Sequence, residues 1–338
     1  LSQAAAAARA QEQNESWAIW GYAFGYFAAY APYSAITKAV SGGRIESVGK
    51  IAGLALLPWS TLASVFAMAT TMTLLGWWKY ARKGGGLPWP GPWTALSGVS
   101  TAVIIVTTTL AYTFEGTSIV LMMLLMRGGV LCIAPIVDLV SGRRVRVWSW
   151  IALVLSLAAL FDAVGTGGDA MKISTGAAVD VVFYLLGYFL RLRFMSKLAK
   201  GTLEDNRRFF VEEQMVAAPA AFLTVAAVAA IGVGKAGASF REGFALWHSG
   251  PALGVVLLIG LLSQGTGVFG GLVLLDAREN SYCVPVNRAS SVLAGVLASY
   301  GLAWLAGTQP PGPRELVGAG LLLGAILVLS FGPRFAKR

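Results

Sequence analysis

Residues 117–140 read TSIVLMMLLMRGGVLCIAPIVDLV. A helix needs about 20 apolar residues to cross about 30 Å of hydrocarbon, and this segment has that length. One side chain is out of place in its middle. Arg127 stands ten residues in, which at 1.5 Å per residue is about 15 Å from the start of the segment. A guanidinium at that depth costs about 2.5–3.5 kcal/mol on insertion scales, so something in the protein, or something it binds, must offset it.

Working outward, apolar runs of comparable length cover 17–40, 51–78, 93–114 and 147–164 in the first half. A second set covers 173–195, 214–233, 252–275, 281–306 and 316–331. The reading is an all-α integral membrane protein with ten transmembrane helices. Composition agrees: of 338 residues, 56% are apolar and only 12% charged, against about 25% charged in soluble domains. The net charge of +10 falls in short runs between the apolar segments, with no basic face or aromatic RNA-binding signature, so nucleic acid is not an expected partner. Those runs read as topology signals. With the N-terminus cytoplasmic, that side holds 17 basic residues and the other side 7, which places both termini in the cytoplasm. Arg127 and Arg288, both within spans, are the two basic residues counted on neither side. The polar, Ala-rich segment 1–16 has no signal-peptide core, and 334–338 is a basic tail. Cys132 and Cys283 give neither a disulfide framework nor a metal-ligand spacing. No metal or other cofactor is expected.

Two five-span halves, 17–165 and 166–333, share an offset. Span one carries Tyr22-Ala23-Phe24-Gly25-Tyr26-Phe27, and span six carries Tyr184-Leu185-Leu186-Gly187-Tyr188-Phe189, the same Y-x-x-G-Y-F pattern 162 positions later. Arg127 and Arg288 are 161 apart, as are Glu115 and Asp276. Because five is odd, the second half enters the membrane from the opposite side, which makes an inverted-topology repeat of the kind found in secondary transporters. Chance recurrence of a Gly- and aromatic-rich string is the competing explanation.

With this organisation the chain resembles the drug/metabolite transporter superfamily, whose ten-span members are two inverted halves of the EamA type. The local marks are Gly142-Arg143-Arg144 after span four and Glu315-Leu316-Val317-Gly318-Ala319-Gly320 opening span ten. In span nine, Asn287-Arg288 is similar to the Asn-cation pair, usually Asn-Lys, of the nucleotide-sugar transporters of that superfamily; the residues before Asn287 depart from the pattern. The resemblance implies a solute site at the interface of the halves. Multidrug exporters of the superfamily carry an acid in the first helix, which span one lacks.

The residues expected to touch the solute are Arg127, Arg288 and Asn287, the first-span tyrosines Tyr22, Tyr26 and Tyr30, and Asp180, Tyr184 and Tyr188 on span six. The two arginines fit a clamp on phosphate or carboxylate; an internal ion pair, with Asp180 the one acid well inside a span, or a bond to backbone carbonyls is the alternative. Tyr22, Tyr26, Tyr30 and Tyr33 follow helical spacing and share one face, as do Asp180, Tyr184, Tyr188 and Arg191. Phenols facing a cavity would offer rings and hydroxyls to a solute; hydroxyls bonded between packed helices are the alternative. Gly265-Thr266-Gly267-Val268-Phe269-Gly270 matches a dinucleotide-binding string but lies inside a span, where close packing explains it. Asn14-Glu15-Ser16 matches a glycosylation sequon on the cytoplasmic side. His248 is the single histidine, and no H-E-x-x-H or G-x-S-x-G occurs, so an enzyme is not expected.

The expectation is alternating-access transport of a small organic solute, anionic in the manner of an organic phosphate, carboxylate or nucleotide sugar, in a bacterial cytoplasmic membrane. A flippase for lipids or lipid-linked sugars, a metabolite or drug exporter, a membrane enzyme and a non-transporting receptor are the alternatives. A homodimer is compatible with the sequence but not indicated by it.

Overall fold

The computed structural model describes residues 3–82, 86–140, 147–165, 173–199, 203–275 and 280–335. Its elements are all helical. In order they are α1 (Gln3–Ser41), α2 (Gly53–Leu74), α3 (Trp78–Ala81), α4 (Pro92–Ala111) and α5 (Ile119–Met123). A π-helical turn at Leu124–Gly128 joins α5 to α6 (Gly129–Val140). Then come α7 (Val147–Gly165), α8 (Thr175–Leu198), α9 (Leu203–Ile231), α10 (Gly234–Ala245), α11 (Gly250–Leu274), α12 (Asn280–Ala306) and α13 (Pro313–Phe335).

A helix stands at each of the ten apolar segments. Among the described residues, seven helices are long and apolar enough to cross a membrane, in α2, α4, α5–α6, α8, α9, α11 and α12. The protein is a multi-pass membrane protein. The structure departs from the sequence reading in several places. α9 begins at Leu203, a full three turns before 214, because Glu212 finds Thr94 and Glu213 finds Arg191 inside the bundle and so neither ends the helix. Residues 234–245 form α10, a helix in what reads as a connection. The polar segment before Trp17 continues α1 back to Gln3.

Local chemistry sets the helix starts. Pro92 opens α4, where its missing N–H costs nothing. Ser118 and Ser174 cap α5 and α8, their hydroxyl oxygens accepting from the backbone N–H of Leu121 at 3.0 Å and of Ala177 at 3.2 Å.

The helices pack in pairs that bridge the two halves of the chain. α1 lies against α11 and α12, α4 between α8 and α9, α2 against α9 and α11, and α7 against α13. Large apolar side chains such as Phe24, Phe66, Leu186 and Leu297 point outward, as expected where lipid tails are the solvent. The inside is richer in hydroxyls than a soluble core, with Thr37, Ser64, Thr101 and Thr107 among the buried residues. Each bonds a carbonyl on its own helix, and Ser64 also donates across to the Gly260 carbonyl of α11 at 3.0 Å. Bonds of this kind hold membrane helices together where burial of apolar surface gives no advantage over lipid.

Candidate functional site

α1, α4, the π turn, α8, α9, α11 and α12 converge on a central cavity of about 60 Å³. Its polar lining includes Tyr26, Tyr30, Arg127, Tyr188, Arg191, Gln214, Gln264 and Asn287, with the hydroxyls of Thr101, Thr108, Ser263 and Thr266. Gln264 donates to Gln214 across it at 3.1 Å.

Arg127 is held by phenols. It sits in the π turn, a local widening that recurs at functional sites. Its Nη1 donates to the Tyr184 hydroxyl and its Nη2 to the Tyr30 hydroxyl. The guanidinium carbon lies 5.0 Å from the centre of the Tyr30 ring and 5.4 Å from that of Tyr184, within cation–π range. Tyr30 in turn shares a 2.7 Å hydrogen bond with Tyr112, and Tyr33 one of 2.8 Å with Thr109. The rings of Tyr26, Tyr30, Tyr33 and Tyr112 meet edge to face. The internal ion pair considered for Arg127 is not what the described residues form. Its Nε has no partner.

Arg288 is in a different position. It is fully buried, its guanidinium carbon lies 4.6 Å over the Tyr188 ring, and Tyr188 is its close polar neighbour; none of its three nitrogens makes a well-formed hydrogen bond. The adjacent Asn287 donates from Nδ2 to the Gly270 carbonyl at 3.1 Å, while its Oδ1 accepts nothing. A buried charge or polar atom left unpaired is costly, and native proteins rarely keep one without a use.

The third arginine is paired. Arg191 donates through Nε and Nη2 to the two carboxylate oxygens of Glu213 at 3.0 and 2.7 Å, and the Ser97 hydroxyl adds a 2.6 Å bond. One residue earlier, Glu212 accepts from Thr94 at 2.6 Å, the Gly91 amide at 2.8 Å and Arg208 at 2.7 Å. These two acids tie α9 to α4 and α8 at one end of the cavity. Their part is absent from the sequence reading, in which Arg191 counts as a loop charge and Glu212 and Glu213 fall outside a span. The available signal was the helical step from Tyr184 and Tyr188 to Arg191.

The cavity thus gathers Tyr26, Tyr30, Arg127, Tyr188 and Asn287. Tyr184 and Arg288 stand directly behind its wall, on Arg127 and Tyr188. Two expected residues lie elsewhere. Tyr22 packs beside Ile19, Val273 and Val286 in a separate apolar cluster, and Asp180 lines a lateral groove. Gly270, the last glycine of the string that matches a dinucleotide-binding pattern, is a close-packing position, since a Cβ there would lie 3.0 Å from the Tyr26 ring. Gly142-Arg143-Arg144 and Asp276 lie outside the described residues. Among the described residues no cluster of His, Cys, Asp and Glu could hold a metal.

No family model matches the chain, and no curated protein matches it. Thirteen chains of solved structures do match. One, described only as "Crystal structure of protein", has a TM-score of 0.53 and 13% identity over 95% of this chain and 99% of its own. At that identity the likeness is one of fold alone.

Proposed function

We propose that this protein is a ten-span secondary transporter that moves a small organic anion through the central cavity by alternating access. Its two five-helix halves are inverted and both its termini are cytoplasmic. The observation that carries the reading is Arg288, a fully buried cation with three unpaired nitrogens beside an unpaired Asn287 oxygen. A solute carboxylate or phosphate would satisfy the guanidinium, and a solute hydroxyl or N–H would satisfy Asn287. Arg127, already held by Tyr30 and Tyr184, would set the second positive charge.

The packing supports two related halves. An offset of 162 carries α1 onto α8 and α4 onto α11; correspondingly, α1 packs on α11 as α8 packs on α4. Gly25 and Gly187, the glycines of the repeated pattern, serve the same purpose: a Cβ at Gly25 would lie 2.7 Å from Phe269 of α11, and one at Gly187 3.0 Å from Ile104 of α4. Gly98 and Gly260, also 162 apart, let α4 close on α9 and α11 close on α2. A chance recurrence of Y-x-x-G-Y-F gives no reason for these matched approaches.

The volume supports a closed conformation. About 60 Å³ is room for only a few waters, whereas ligand pockets run about 300–1,000 Å³. Binding a metabolite requires the halves to part. Uptake into proteoliposomes across carboxylates, phosphate esters and amino acids tests the proposal. It expects at least one anion to be accumulated or exchanged, and to be lost with Arg288→Met. Uptake of no anion, or normal anion uptake by both Arg127→Met and Arg288→Met, would overturn it.

A further inference from the structure

A second, larger cavity of about 680 Å³ opens sideways between α2, α4, α8, α9 and α10. Along α4 its wall runs from Val99 through Val106 to Leu110, about 16 Å at 1.5 Å per residue, long enough for an extended alkyl chain. Its rim on α8 is Val179 and Phe183, about half exposed, so the groove faces the hydrocarbon. Lipid tails fill any such groove, and by itself that means little. What a hydrocarbon tail leaves unsatisfied is Asp180. It lines the groove, is 6% exposed, and its Oδ2 is buried with no partner.

We propose that the groove is a binding site for a single-chain hydrophobic amine taken from the bilayer, with its ammonium on Asp180 and its chain along α4. Asp180 lies five residues into α8, about 7 Å below the helix start, at the end of the groove that also holds Gly176 and Phe114. The amine would reach it from the interfacial side while the chain ran toward the middle of the membrane. A carboxylate accepting from an ammonium makes a charge-assisted bond. An alcohol of equal length supplies a neutral one, roughly half as strong, so the site discriminates by charge. This site is separate from the central cavity and does not depend on the transport reading.

The test is native mass spectrometry of the whole protein in a non-ionic detergent, with dodecylamine and dodecanol as probes. The expected result is at least about tenfold tighter retention of dodecylamine, a preference lost in Asp180→Asn. Val103→Trp, which plugs the groove without touching Asp180, should lose retention of both probes. Equal retention of amine and alcohol would overturn the proposal, as would an unchanged preference in Asp180→Asn or tighter retention of phosphatidylethanolamine than of dodecylamine.

Discussion

The Arg191–Glu213 pair makes a sharp prediction because both partners are out of reach of solvent. The side chains are 7% and 0% exposed, and two hydrogen bonds join them in parallel. Replacing Arg191 with Met leaves Glu213 buried with only the Ser97 hydroxyl; replacing Glu213 with Met leaves Arg191 without a carboxylate. Breaking a buried pair from one side costs about 3–5 kcal/mol, while exchanging both partners for apolar groups of similar volume is neutral or stabilising. The double variant should therefore be close to wild type, and the coupling between the sites at least about 6 kcal/mol. Unfolding in mixed micelles titrated with dodecyl sulfate, on all four members of the cycle, measures it. Single variants within about 1 kcal/mol of wild type, or a double variant as unstable as the two singles added, would refute the reasoning.

Three other outcomes follow from the packing and the loops. Gly25→Val should destabilise the α1–α11 contact by about 1–3 kcal/mol through overpacking against Phe269, and Phe269→Ala should recover part of the loss in the same unfolding assay. Tyr30→Phe and Tyr184→Phe each remove an acceptor from Arg127; each should cost about 1.5–3 kcal/mol, with the double variant worse than either. Outside the membrane, the Lys50 ammonium holds the Glu115 carboxyl below its usual range. A depressed carboxylate stabilises above its unfolded pKa and loses that contribution as the pH falls through its folded pKa. Both groups are exposed, so Lys50→Met should return the Glu115 titration, followed by NMR, to the ordinary range without a measurable change in unfolding.

The helical membrane architecture was legible because hydrocarbon thickness dictates segment length, and residues such as 252–275 and 281–306 carry that signal openly. The convergence of Tyr26, Tyr30, Tyr188 and Arg127 on one cavity follows the helical spacing of the tyrosines and the shared offset of the arginines. Other features were hidden because charge within a helix reads as loop until its partner is known. Glu212, Glu213 and Arg191 are acceptable inside the bundle only through one another and through Thr94 and Ser97. Helical spacing placed Asp180 and Tyr184 on one face, but it could not say that α4 and α9 would turn Asp180 toward a lateral groove while Tyr184 reached Arg127. The separation of Tyr22 from Tyr26 has the same origin: one turn of α1 carries the stripe past the cavity and against α11 and α12.

The central claim is that Arg288 is kept unpaired for a solute anion, and thermal unfolding of purified wild type and Arg288→Met, each with and without a panel of carboxylates and phosphate esters, tests it most directly. Removing a buried cation that has the Tyr188 side chain beside it and no anionic partner among the described residues should leave the solute-free protein about as stable as wild type, while the stabilisation that a bound anion gives wild type disappears. Loss of about 3–5 kcal/mol of solute-free stability, with the anion-dependent shift intact, would contradict the account and make Arg288 a structural cation.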